Sequence, residues 1–330
     1  MALGIALSFD FIPYKLVLEF ISRFEEAFTH IFVPEIWGRD ALTQIAALAA
    51  STEEEITFGT AIVNLYSRTP ASLAQTAVSL SELTDGRFIL GLGLSGPIVI
   101  ENWHGVSYYN YSPLQRTREY FDIIRLILSG ERCNYEGKIF KLRNFRLRAE
   151  PATVPLFLAA LGPKNVQLAG QIADGWFPIW TPLNKFDLIL GDLDRGKNKR
   201  SSDLSSNVDI APMIITCVAD SPKAKHLVQN HIAYYVGGMG NFYNNFMKRI
   251  GFEIEAEKIH RAWKNGDRAL AASCVSDAMI DEIAVLGSED ELPNRYEHLR
   301  KQGVTIPILM LPYNCPPDLA LKTIEAFVQL

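Results

Sequence analysis

The stretch ITFGTAIVNLYSRTPASLAQTAVSLSELTDGRFILGLG, residues 56–93, decides the fold. Ile56–Val63 is rich in β-branched and apolar residues and reads as a strand. Pro70 takes a first helical position. The Ala/Leu/Ser run behind it predicts a helix to about Leu83, stopped at Asp85-Gly86. Arg87–Leu92 is again nearly all apolar and reads as a second strand. Strands apolar on both faces and joined through a helix belong to a parallel sheet covered by helices.

The same alternation runs outward in both directions. Toward the N-terminus, Leu3–Ser8 is a strand, Lys15–Phe28 has helical spacing, Ile31–Val33 is a strand and Ala41–Ala50 an Ala/Leu helix. Toward the C-terminus the rhythm breaks at Gly93–Ser112, which is Gly- and aromatic-rich without a helical period. Pro113 then opens the helix Leu114–Leu128, closed by Gly130. Cys133–Leu147 alternates with period two about Glu136-Gly137 and predicts a hairpin. Strands follow at Val154–Ala160, Gly175–Trp180, Val208–Val218 and Thr305–Leu311, with helices at Lys164–Ile172 and Pro317–Val328. The polar run Asp194–Asn207 reads as an exposed loop.

Eight parallel strands and a terminal helix predict an α/β fold of the (β/α)8 TIM-barrel type. Such a barrel needs about 250 residues, and the chain has 330. The surplus falls into the loop after strand 4, the hairpin, and a mostly helical insertion at about 221–300, after strand 7. The expectation is a single domain, 1–330, with insertions after strands 4 and 7.

Composition narrows the function. Hydrophobic residues make up 48% and charged residues 21%, enough for a large core, and the net charge is −5. A mildly acidic chain argues against nucleic acid or an anionic membrane as partner. Phe88–Ile100, the most apolar window, is broken by glycines and Pro97, and falls short of a membrane span of ~20 residues. MALGIALSFDF has no positive charge before its apolar stretch and does not read as a signal peptide, which predicts a cytoplasmic protein. Cys133, Cys217, Cys274 and Cys315 lie far apart, without metal or disulfide spacing. The six histidines do not cluster, so no metal is expected.

Three strand ends carry chemistry. Gly91-Leu92-Gly93-Leu94-Ser95-Gly96 matches the dinucleotide fingerprint in letters. The Pro97-Ile98-Val99-Ile100 behind it opens a helix poorly, and no acidic residue closes a second strand. It reads better as a backbone loop against which a flat ligand lies. In Ala159-Ala160-Leu161-Gly162-Pro163-Lys164 a strand turns into a helix start beside a lysine, a seat for phosphate. An ordinary strand–helix loop is the competing reading. Glu35 follows the second strand, flanked by Pro34, Ile36 and Trp37. Apolar neighbours at a barrel mouth suit a carboxyl group to proton transfer. Phe9, Trp37, Trp103, Tyr108, Trp176 and Trp180 would line the mouth, which suits a large planar ligand. Phe9, Trp37, Trp103, His104, Trp176 and Trp180 are the candidates for the pocket of a small-molecule substrate.

PEIWGRDA (34–41), FGTAIVNLYSRTPASLAQTA (58–77), SELTDGRFILGLGLSGP (81–97), ENWHG (101–105), PLQRTREY (113–120) and VPLFLAALGPKNVQLAGQIADGW (154–176) together resemble the luciferase-like superfamily of flavin- and deazaflavin-dependent oxidoreductases. Arg39-Asp40 and the Trp103-His104-Gly105 loop are most similar to the methylenetetrahydromethanopterin reductase branch. The resemblance implies coenzyme F-420, an 8-hydroxy-5-deazaflavin, as cofactor. It implies a non-prolyl cis peptide at Ala61–Ile62 behind the ring. Ala61, Ile62, Asn64, Leu94, Ser95 and Gly96 would hold the ring, and Ala159–Lys164 the side-chain phosphate. The sugar-phosphate dehydrogenase branch is not matched. Its acid–histidine pair is Glu35-Ile36 here, and its fourth-loop glutamate falls on Gly96. The implied reaction is hydride transfer to an electrophilic carbon or imine, with Glu35 as proton donor or as stabiliser of positive charge. An FMN-dependent monooxygenase with a flavin reductase partner, and a flavin-binding paralogue without chemistry, stay open. The family also implies a homodimer.

Overall fold

Strand order follows chain order around a closed ring. The computed structural model describes residues 2–7, 14–24, 26–52, 55–219 and 221–328. The ring strands are β1 (Gly4–Ala6), β2 (His30–Val33), β3 (Thr57–Thr60), β4 (Phe88–Gly93), β5 (Leu156–Ala159), β6 (Gly175–Phe177), β7 (Met213–Val218) and β8 (Ile308–Met310). All ring pairings are parallel. Gly4 pairs with His30 and Ile308, His30 with Thr57, Phe58 with Phe88, Leu90 with Leu156 and Phe157 with Gly175. Met213 pairs with Ile308, and a parallel bridge from Ile179 to Met213 closes the barrel.

The lumen is packed with side chains. Phe177 meets Phe32 edge-on at 5.3 Å and Phe157 at 5.1 Å between ring centroids. Ile89, Met213 and Ile308 fill much of the rest. A second, larger apolar layer joins the strands' outer faces to the helices, as a parallel sheet buried on both sides requires. The C-terminal strand ends are left as the mouth. No helix among the described residues is long and apolar enough to cross a membrane.

Several elements depart from the sequence expectation. Val99–Trp103 forms a π-helical turn where no helix was expected. Burial of Val99 and Ile100 outweighs their weak helical preference. Val208–Val218 is two strands. Asp209–Ile210 pairs with β6, and β7 begins after Pro212, which has no N–H for the ladder. The run from Asp194 is not all loop, since the helix Asp187–Lys197 reaches into it. The predicted insertion contains five helices between Pro222 and Ile283, then the strand Ala284–Gly287 on β7 and the helix Glu291–Lys301. The hairpin is Cys133–Glu136 against Lys141–Phe145.

Candidate functional site

Three strand ends meet at the mouth. After β3 the Ala61–Ile62 peptide bond is cis, and the chain resumes as Val63–Asn64 alongside Leu92 and Gly93 of β4. A Cβ added at Gly93 would lie 2.9 Å from the Ile62 side chain and 3.4 Å from the Ala159 Cβ. Glycine thus lets the ends of β3, β4 and β5 close on one another. Leu94, Ser95 and Gly96 continue this shelf and are half-buried. A Cβ on Gly96 would stand 3.6 Å from the Met239 carbonyl, so the insertion reaches over the shelf. No charged side chain belongs to the shelf.

Beyond Ala159 the chain turns into the helix Pro163–Ile172. Gly162, its cap residue, supplies no side-chain acceptor. The helices that follow β2, β3 and β4 are capped by Asp40 on the Thr43 N–H at 2.7 Å, Thr69 on Ser72 at 3.2 Å and Ser112 on Gln115 at 3.5 Å. A Cβ on Gly162 would meet nothing within 4 Å. The positive helix end therefore opens outward with Lys164 exposed beside it. Ala160 is buried, and its carbonyl accepts the Trp176 indole N–H at 2.9 Å. Leu161 is half-buried.

Glu35 does not face the apolar surroundings read from its sequence neighbours. Its two oxygens take Arg68 at 2.7 and 2.9 Å, and one also accepts the Ala41 N–H at 3.0 Å. Arg68 bridges on to Asp40. Desolvation pushes the Asp40 carboxyl up, but the Thr43 hydrogen bonds and the Arg68 charge outweigh it and hold the group below its ordinary value. Glu35 is thus spent on an ion-pair network and a helix start, which does not suit a proton donor.

Asn64 is buried. Its Oδ1 accepts the N–H groups of Tyr66 and Ser67 at 2.9 and 2.8 Å, so its amide donates to His104 Nε2 at 3.3 Å. With Nε2 as the acceptor, the His104 ring proton stands on Nδ1. Around the mouth, Trp37 stands edge-on to Trp103 at 5.6 Å, Tyr234 at 6.1 Å and Tyr313 at 6.3 Å. Trp37, Trp103 and Tyr313 are each more than two-fifths exposed. Buried His231 accepts the Tyr313 N–H at 2.9 Å on Nδ1. Burial lowers its pKa to about 4, so the ring is neutral and keeps that acceptor.

Two expected pocket residues lie elsewhere. Trp176 and Trp180 are 1% and 0% exposed. The first props up Ala160, and the second packs under Tyr235 and Tyr243 of the insertion. Trp176 belongs to the apolar layer between strands and helices while its neighbour Phe177 fills the lumen, and Trp180 has a positive φ of 59°. Phe9 lies outside the described residues. Arg68, Tyr234 and Tyr313 were missed by the sequence reading. Arg68 meets Glu35 only because β2 and β3 pair in register, and that leaves no periodic signal.

A family model described as luciferase-like monooxygenase matches residues 1–305. A Mycobacterium tuberculosis protein, named as one of the coenzyme F-420-dependent oxidoreductases, is 32% identical over 88% of this chain and 89% of its own length. The 5,10-methylenetetrahydromethanopterin reductase of Archaeoglobus fulgidus is 30% identical over 81% of this chain and 80% of its own. The solved coenzyme F-420-dependent tetrahydromethanopterin reductase of Methanopyrus kandleri superposes with a TM-score of 0.83 at 24% identity, covering 99% of this chain and 97% of that one. That last likeness is one of fold.

Proposed function

The chain belongs to the luciferase-like monooxygenase family, and from that premise we propose an oxidoreductase that transfers hydride from reduced coenzyme F-420 to an electrophilic carbon or imine of a small-molecule substrate. One observation carries the proposal. The uncharged shelf of Ala61, Ile62, Leu94, Gly96 and Ala159 leads, within a few residues, to the open cationic helix start at Gly162–Lys164. A ligand that suits both is flat and uncharged at one end and anionic at the other. A deazaflavin with its side-chain phosphate has that form. The name of the Mycobacterium tuberculosis relative supports the same cofactor.

Ala61, Ile62, Asn64, Leu94, Ser95 and Gly96 would hold the ring, and Ala159, Ala160, Leu161, Gly162, Pro163 and Lys164 the side chain. When bound, the reduced cofactor supplies the hydride. The chain's own contribution is position and charge. Trp37, Trp103, Tyr234 and Tyr313 offer edges and faces to a planar substrate at the mouth. Asn64 fixes His104 as an Nδ1–H donor near the rim. Glu35, locked on Arg68, is a positioning residue that keeps the β2 and β3 ends together. Reduction of an iminium carbon takes no proton from the protein, so a committed Glu35 is compatible with that substrate class.

The FMN-dependent monooxygenase, fed by a flavin reductase, is the second reading, favoured by the family's own description. Titration of the protein with coenzyme F-420 and with FMN, followed by fluorescence, separates the two. The proposal expects F-420 to bind at least about tenfold more tightly. Binding of FMN without F-420 would overturn it. Glu35→Gln should keep cofactor binding and most of the turnover, and loss of turnover alone would return Glu35 to the chemistry. A homodimer is the expected assembly, to be checked by sedimentation.

A further inference from the structure

The base of the hairpin carries charge that the fold does not use. Cys133 lies opposite Phe145 in the antiparallel register, so one step further Arg132 comes opposite Arg146. Arg146 Nε donates to the Gly130 carbonyl at 3.3 Å, which ties the two edges together at that level. Exposure alternates residue by residue from Arg146 to Glu150, so Arg146 and Arg148 share a side. Arg132, Arg146 and Arg148 line one concavity of about 760 Å³, together with Asn144 and Glu150. The hairpin base connects the end of the helix Pro113–Leu128 to the start of β5, and the Leu128 carbonyl takes the Ala152 N–H at 3.1 Å. The concavity therefore sits at the N-terminal ends of the strands, away from the mouth.

The two cations of the hairpin's second strand are paired. Lys141 meets Glu136 at 2.5 Å and Arg143 meets it at 3.5 Å. Arg132, Arg146 and Arg148 have no ion pair among the described residues. Glu150 has none there either. Like charges set directly across an antiparallel pair repel, and a guanidinium cannot shed its charge. The lining holds three positive charges and one negative, in a chain of net charge −5. Such a local excess attracts a multiply charged anion. The planar fork of arginine matches a pair of phosphate oxygens. Three forks around one concavity suit more than one anionic group.

We propose that this concavity is an anion site separate from the mouth, and that it takes a diphosphate group, free or carried on a small organic molecule. Arg132 and Arg146 hold one phosphate between them, and Arg148 holds the next. The Asn144 amide adds a neutral donor. Glu150 follows Arg148 on the same side, where a hydroxyl or amino group of an organic diphosphate finds an acceptor. The site does not depend on the deazaflavin reading of the mouth.

Calorimetric titration with pyrophosphate and with adenosine diphosphate, without magnesium and at constant ionic strength, tests the assignment. The unaltered protein is compared with Arg132→Gln/Arg148→Gln and with Lys164→Ala. Both altered arginines are exposed and make no hydrogen bond among the described residues, so the double variant should unfold in urea at the same midpoint as the unaltered chain. Saturable binding of either probe is expected, weakened at least about tenfold in the double variant and unchanged in Lys164→Ala. Added salt should weaken it as well. The probe bound more tightly tells whether the free or the organic diphosphate fits better. Absence of saturable binding, or binding that the double variant keeps, overturns the site. Loss in Lys164→Ala alone puts the diphosphate at the helix start near the mouth and overturns it too.

Discussion

The ends of β2 and β5 are the same device put to different use. Each is a strand turning into a helix at the barrel mouth with a charged residue in the turn. At β2, Glu35 holds Arg68 in two hydrogen bonds of 2.7 and 2.9 Å, and Asp40 caps the helix through the Thr43 N–H at 2.7 Å. At β5, Gly162 leaves the helix uncapped and Lys164 has no ion-pair partner among the described residues. Charge at β2 is consumed by the fold. Charge at β5 has no such partner among the described residues. A charged residue at a barrel mouth is thus a binding candidate only after its partners are counted.

The contrast can be broken from either side. Arg68→Ala strands two carboxylates, Glu35 and Asp40, and should cost about 2–3 kcal/mol in urea unfolding at neutral pH. Lys164→Ala should change stability by less than about 0.5 kcal/mol. Equal losses in the two variants would erase the distinction. Gly162→Asp makes the β5 end resemble the β2 end. The site has an extended backbone and an open Cβ direction, so a side-chain cap should form and add a few tenths of a kcal/mol. The same carboxylate should weaken F-420 binding about thirtyfold, or roughly 2 kcal/mol. Unchanged affinity there would remove the phosphate from Gly162. Lys164→Ala should weaken F-420 about tenfold and leave the phosphate-free chromophore unaffected.

The smallest effect concerns acid. The Asp40 carboxyl is held below its ordinary value of 3.8. A depressed carboxyl stabilises the fold above its unfolded pKa and loses that contribution as pH falls through the lower folded value. Asp40→Asn keeps a capping oxygen and removes the charge. It should cost less than about 1 kcal/mol at pH 7, because the pair is exposed to solvent screening. The deficit should shrink below about pH 3.8 and vanish once the folded carboxyl is protonated. A deficit independent of pH would place the loss in the cap.

The eight strands were legible because short apolar runs alternate with helical periods and little else interrupts them. Ala284–Gly287 was not, since it follows Asp277–Ile283 directly without a turn residue. The helix Asp187–Lys197 was hidden by Gly191 and Gly196, poor helix formers on their own. The structure shows why one is there. A Cβ on Gly196 would fall 2.0 Å from the Gln167 carbonyl, so glycine permits the close approach of two helices. The glycine-rich shelf and the Gly162–Lys164 turn could be read locally. The Glu35–Arg68 pair could not, because its members sit on separate elements joined only by packing. The aromatic rim was half-read: Trp37 and Trp103 came from the barrel loops, whereas Tyr234 and Tyr313 enter from the insertion and the loop after the last strand.

The central claim is that the shelf and the helix start serve hydride transfer from a reduced deazaflavin. The most direct measurement is an anaerobic turnover with reduced F-420 carrying deuterium at the hydride-donating ring carbon, offered iminium and carbonyl substrates, with mass analysis of the product. The account predicts deuterium in the product, in step with oxidation of the deazaflavin and without oxygen. Turnover only with reduced FMN and oxygen, with no label carried from the deazaflavin, would contradict it.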